Sequence, residues 1–183
     1  GLARRLMARY AAFLRGVNLG AKRKTGSAEL RACFEGAGLE EVQTFRTSGN
    51  VVFDAGRAPK GGRIEKALRD SFGFDVDVYL RTAAEVRAIA GPEPFHAKLV
   101  AASDGKLQVA LLQEKPAAAT RKRALALADE DNRLAFEGRE LYWLPSGGIR
   151  DSAPYLKPLE ALVGQWTMRT KGTVEALATK YFA

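Results

Sequence analysis

The chain has 183 residues and a mass of 19.9 kDa, with 46% hydrophobic and 27% charged side chains, which suits one compact domain or two small packed ones and excludes a disordered chain. A single cysteine, Cys33, and a single histidine, His96, exclude an internal disulfide framework and leave no material for a zinc site or for Ser-His-Asp or Cys-His catalysis. The net charge of +8, from 29 Lys+Arg against 21 Asp+Glu, directs attention to phosphates, nucleic acid or anionic metabolites as partners.

No apolar run reaches the roughly 18 residues of a membrane span and nothing resembles a secretory signal, so a reducing, cytoplasmic setting is expected. The charge is uneven: residues 1–81 carry 15 basic and 9 acidic side chains, residues 82–183 carry 14 and 12. Residues 1–8 read as an N-terminal extension. Tyr10 to Arg15 is a short apolar run ended by Gly16, a buried strand. Ser27 is placed to cap a helix whose apolar face is Leu30, Cys33, Phe34 and Ala37, with Gly38 as the stop. Val42 to Arg46 is a strand, Thr47-Ser48-Gly49-Asn50 a turn, and Val51 to Asp54 the returning strand. Ile64, Ala67, Leu68 and Phe72 form a second helical stripe closed by Gly73, and Val76 to Arg81 is a fourth strand.

A linking helix follows, with Thr82 and Glu85 as a capping box and Gly91-Pro92 as the stop. Then come a strand over Leu107–Leu112, a helix over Pro116–Leu127 and a hairpin of Arg133–Phe136 with Leu141–Leu144 across Glu137-Gly138-Arg139. A helix over Tyr155–Val163, a strand over Trp166–Arg169 and a closing helix over Thr173–Phe182 complete the chain. The order βαββαβ thus occurs twice. The repeat lies in the order of elements, without a repeat of residues between the halves. The pattern predicts an α+β protein: two tandem ferredoxin-like subdomains with antiparallel sheets, over residues 9–81 and 106–183, joined by a helix and loop over 82–105 and closed by a C-terminal helix.

That topology places the loop after the first strand and the turn between strands two and three at one end of the sheet. The loop, Arg15-Gly16-Val17-Asn18-Leu19-Gly20-Ala21-Lys22-Arg23-Lys24, combines two glycines, able to present amides as an anion nest, with four cations. It is not a Walker A loop: Gly16 to Gly20 is one residue short, and no Ser or Thr follows Lys22. Ser48 and Asn50 in the turn either orient a ligand or stabilise the turn itself. Arg169 and Lys171, before the last helix, are a second anion candidate, against capping by Thr170 or Thr173. An RNA-recognition reading fails on aromatics: strand three offers only Phe53, and Phe13 and Phe53 read as core. Cys33 reads as a core thiol, His96 as a loop residue, and Trp143 and Trp166 as packing residues.

The run Phe13-Leu14-Arg15-Gly16-Val17-Asn18-Leu19-Gly20, followed by Lys22, Lys24, Leu30-Arg31, Thr44 and Ser48-Gly49-Asn50-Val51-Val52-Phe53, resembles the bacterial domain-of-unknown-function family numbered 1697. Thr167-Met168-Arg169 with Thr173-Val174 and Leu177 resembles its C-terminal signature, although Thr170-Lys171 stands where many members carry Asn-Trp. The resemblance implies a duplicated ferredoxin-like architecture and no established activity. It makes Arg15, Gly16, Asn18, Gly20, Ser48, Gly49, Asn50 and Arg169 signature positions. Together these readings point to a small anionic, phosphorylated ligand held by Arg15, Gly16, Asn18, Gly20, Lys22, Ser48, Gly49, Asn50 and Arg169, with no cofactor and no metal. A weak nucleic-acid-binding module on the same basic surface is the rival. No nucleophile–base pair is evident, so any chemistry would run on charge stabilisation by Arg and Lys.

Overall fold

The computed structural model describes residues 6–17, 25–47, 49–103, 106–147 and 153–183. They divide between two units, residues 1–87 with 177–183 and residues 88–176. In the first, β1 (Ala8–Arg15), β2 (Glu40–Thr44), β3 (Asn50–Ala55) and β4 (Asp77–Thr82) form an antiparallel sheet in the order β2-β3-β1-β4. Helices α1 (Ser27–Gly36) and α2 (Gly61–Phe72) supply the alternation βαββαβ. In the second, β5 (Gln108–Leu112), β6 (Asn132–Glu137), β7 (Glu140–Pro145) and β8 (Trp166–Thr170) repeat the order as β6-β7-β5-β8. There α5 (Ala118–Leu125) and α6 (Ala153–Val163) take the equivalent places. The linking helix is α3 (Ala83–Ala90), and the closing helix α7 (Lys171–Tyr181).

Strand alternation sorts the side chains. Ala12, Leu14, Val51, Phe53 and Val78 point to the face where Leu30, Phe34, Ile64 and Leu68 of α1 and α2 complete a buried core. In the second unit Ala110, Leu112, Leu141, Trp143 and Trp166 pack in a core with Ala124 of α5 and Leu159 of α6. Cys33 of α1 is buried in the core of the first unit as a thiol, accepting from Ser71 Oγ at 3.5 Å. Phe13 and Phe53 are both inaccessible, which leaves neither available to stack a base.

Several ends follow from local chemistry. Thr82 and Glu85 close the expected capping box on α3: Glu85 N–H donates to Thr82 Oγ1 at 3.2 Å, and Thr82 N–H donates to the Glu85 carboxylate at 3.1 Å. Gly73 stops α2 with φ 79°, its N–H on Arg69 O at 2.8 Å. The β6–β7 connection is the two residues Gly138-Arg139, with Gly138 at φ 56°, the glycine-first pattern that matches strand twist.

Three expectations change. Ser27 does not cap α1; Gly26 occupies the cap position and Ser27 is the first helical residue, because the chain is already extended at Gly26. Residues Ala97–Ala102, read as loop, form a short helix, α4, whose first turn His96 caps: Lys98 N–H donates to His96 Nδ1 at 3.2 Å. The last helix begins at Lys171 rather than Thr173, since Thr170 Oγ1 accepts from Thr173 N–H at 3.2 Å and draws Lys171 and Gly172 into the first turn. No helix among the described residues is long and apolar enough to cross a membrane.

Candidate functional site

The end of the first sheet is built by two glycines. β1 runs into Gly16 (φ 83°), and the β2–β3 connection reaches Gly49 (φ 78°) before β3 starts. Leu14 N–H donates to Gly49 O at 2.8 Å, so the end of β1 lies directly against the turn. A Cβ added at Gly49 would run into Val17 Cγ2 and stand 3.0 Å from Leu14 Cβ. Only glycine provides both the left-handed backbone and the room. Val17 is itself buried, closing the contact.

Arg15 continues the alternation of Phe13, on the sheet face opposite α1 and α2. Asn50, opposite Phe13 in the register, is buried and its Nδ2 donates to Phe45 O at 3.0 Å. Phe45 N–H donates back to Asn50 O at 2.9 Å. Asn50 therefore holds the turn in shape. Asn18, Gly20, Lys22 and Ser48 lie outside the described residues. The structure thus brings together Arg15, Gly16, Gly49 and Asn50 at one end of one sheet.

Arg169 belongs to the other unit. It lies at 9% exposure on β8, with Nη1 donating to Thr167 Oγ1 at 2.7 Å and to Met168 O at 2.9 Å. Burial works against the guanidinium charge and lowers its pKa to about 10, which still leaves a cation at neutral pH. Lys171 is 3% exposed; its Nζ donates to Gly91 O at 2.6 Å and to the Glu175 carboxylate at 2.8 Å. Its ammonium thus satisfies a carbonyl at the end of α3. Lys171→Met should lower stability by about 1–3 kcal/mol, the cost of a part-buried carbonyl left without its charged donor, as read from a denaturant midpoint. A change below about 0.5 kcal/mol, the size of an ordinary surface substitution, would reduce Lys171 to a surface charge.

A repeat of residues accompanies the repeat of elements. Arg81-Thr82 ends β4 as Arg169-Thr170 ends β8. Arg81 pairs with Ala11 of β1 as Arg169 pairs with Val109 of β5, and each threonine caps the next helix. Arg81 is fully buried, with Nη1 on Leu80 O at 2.8 Å. Arg-Thr with a valine four residues on also occurs at Arg46-Thr47 and Val51, so the repeat is distinguished by the alignment of strands and not by the sequence pattern alone.

Other titratable groups are engaged in the fold. Arg9 pairs across β1 and β3 with Asp54 at 2.9 Å, and that hydrogen bond raises the Arg9 pKa. Asp75 pairs with Arg69 at 2.6 Å. Asp129 Oδ1 accepts from the backbone N–H groups of Asp131 and Asn132. No group of three or more metal-ligating side chains occurs among the described residues.

The fold and this site define a duplicated ferredoxin-like α+β protein with a glycine-built, cation-flanked junction at one sheet end. The chain belongs to the family described as Protein of unknown function (DUF1697), whose model matches residues 7–142. That match contains the Arg15–Lys24 loop and the Ser48–Asn50 turn, and ends before Arg169. In fold the chain is similar to a conserved bacterial protein from Streptococcus pneumoniae, with a TM-score of 0.69 and 22% identity over 95% of this chain and 98% of that one. No curated protein matches the chain.

Proposed function

We propose that the protein binds a small anionic, phosphorylated ligand where the loop after β1 meets the β2–β3 turn. The observation that carries this reading is the close junction of Gly16 and Gly49, two left-handed glycines joined through Leu14 N–H and Gly49 O. Turns of this kind can aim backbone amides outward as an anion nest, and Arg15 stands beside them. In this reading Arg15 and Lys22 neutralise the ligand's charge, while amides between Gly16 and Gly20, with the Ser48 hydroxyl, donate hydrogen bonds to its oxygens. Arg169, a signature position by resemblance, belongs to the other unit.

The test is calorimetric titration of the full chain with ribose 5-phosphate and with duplex DNA at two salt concentrations. Ribose 5-phosphate should bind, and Arg15→Ala should weaken it about 10-fold or more, the loss of one charge-assisted hydrogen bond of about 1.5–3 kcal/mol. Duplex DNA should bind weakly with a logarithmic salt slope of about −3 or shallower, because the cations around this loop can engage about three phosphates. Tight, sequence-tolerant DNA binding with a slope near about −6 would overturn the reading in favour of a nucleic-acid-binding module.

A further inference from the structure

We propose that a separate site in the second unit binds a zwitterionic α-amino acid with an apolar side chain. It lies in the cleft between the start of α4 and the turn that leads from α5 into β6, and it does not rest on the anion reading above.

The cleft has a volume of about 580 Å³, within the size of small-ligand sites. Both of its walls are fixed by local bonds. On one side His96 Nδ1 accepts from Lys98 N–H at 3.2 Å, the contact that starts α4. On the other, Asp129 Oδ1 accepts from the N–H groups of Asp131 and Asn132 at 2.9 and 2.8 Å. Ser146 Oγ donates to the Asp131 carboxylate at 2.9 Å and ties that turn to the end of β7.

The polar groups left over in the cleft are of both signs. Glu130 and Arg133 line it three residues apart without pairing with each other, and among the described residues neither side chain has a hydrogen bond or ion pair. His96 also lines the cleft. The bond at its Nδ1 leaves the proton of the neutral ring on Nε2, so the ring has a donor to offer. Asp129 spends Oδ1 in the turn and keeps Oδ2. Arg133 and His96 are thus donors for a carboxylate, and Glu130 and Asp129 are acceptors for an ammonium. Two carboxylates against one guanidinium disfavour a phosphate in this cleft, although the chain as a whole carries +8.

The rest of the lining is apolar. Leu134 is buried and Phe95 half-buried, whereas Leu99 leaves 37% of its surface open. A ligand side chain laid on these three would remove that apolar surface from water. A ligand with a single charge leaves the opposite charge of the cleft unanswered. An α-amino acid carries both charges beside an apolar body.

The experiment is calorimetric titration of the full chain with L-leucine, isocaproate and isoamylamine. The three share one branched apolar body and carry both charges, the carboxylate alone and the ammonium alone. Leucine should bind with a Kd of about 1 mM or below, as suits a ligand of so few atoms. Each single-charge analogue should bind at least about 10-fold more weakly, having lost one charge-assisted contact. Arg133→Gln should reduce leucine to the affinity of isoamylamine, and Glu130→Gln to that of isocaproate. Thermal midpoints close to that of the unaltered protein should show both variants folded, and the two analogues test the same contacts without any substitution. Absence of leucine binding up to about 20 mM, equal affinity for the three ligands, or a leucine affinity unchanged by either variant would each overturn the proposal.

Discussion

Gly49→Ala should destabilise the protein by about 2–4 kcal/mol, combining roughly 1–2 kcal/mol for a left-handed residue with a Cβ and about 1–3 kcal/mol for overpacking. Both terms are local. At φ 78° the backbone is in the left-handed region, and the new methyl would collide with Val17 and press on Leu14. Gly38→Ala is the control. Gly38 has φ 88°, but nothing lies within 4 Å of its added Cβ, so it should lose only the conformational part, about 1 kcal/mol. The measurement is a pair of denaturant titrations, with ribose 5-phosphate affinity followed in parallel. Gly49→Ala should lose both stability and ligand, since the substitution forces the β1 loop away from the turn. Equal losses at the two glycines would mean that the contact between Val17 and the turn contributes nothing.

Trp143→Ala should cost about 3–5 kcal/mol, the usual range for removing a large aromatic side chain from a packed core. Trp143 is fully buried on β7 in the core of the second unit, and its Nε1 donates to Asn132 Oδ1 at 3.0 Å on the neighbouring strand. The substitution removes both the packed ring and the indole donor, leaving the half-buried Asn132 amide oxygen to find another partner. Trp143→Phe separates these: it keeps most of the ring contacts and loses the donor, and should cost about 1–3 kcal/mol. Hydrogen exchange would locate the effect, with amides of β5–β8 losing protection first. A loss below about 1.5 kcal/mol for Trp143→Ala would show that the core collapses around the gap far better than such cores generally do.

The elements of this fold were legible because the chain marks them with residues of narrow meaning. The continuous apolar run from Tyr10 to Leu14, cut off by Gly16, marks a strand buried on both faces, and Gly38, Gly73 and Gly138 mark ends that require positive φ. The adjacency of the β1 loop and the β2–β3 turn was also accessible, since βαββαβ connectivity with antiparallel pairing leaves both at one end. Short helices were less legible. Residues Ala97–Ala102 carry too few residues for a periodicity to rise above chance, and the cap that starts them comes from His96, whose ring is an unusual acceptor for that role.

The sequence by itself determined the two βαββαβ units, the core faces of their strands and helices, and the positions of the cations and glycines of the β1 loop. Tertiary structure decided which polar residues remain for a ligand. Asn50 reads as a ligand-facing amide until the register places it opposite Phe13 and its Nδ2 on Phe45 O. Arg169 and Lys171 read as surface cations until burial and their partners absorb them: Thr167 and Met168 for the first, Gly91 and Glu175 for the second. The aromatic pair of Phe45 and Tyr181 joins residues separated by most of the chain. The physical reason is the range of the interactions. Backbone conformation and burial periodicity are set by neighbours within a few residues. Hydrogen-bond partnership and charge burial depend on which distant backbone carbonyl or ring arrives beside a side chain after the sheets have formed.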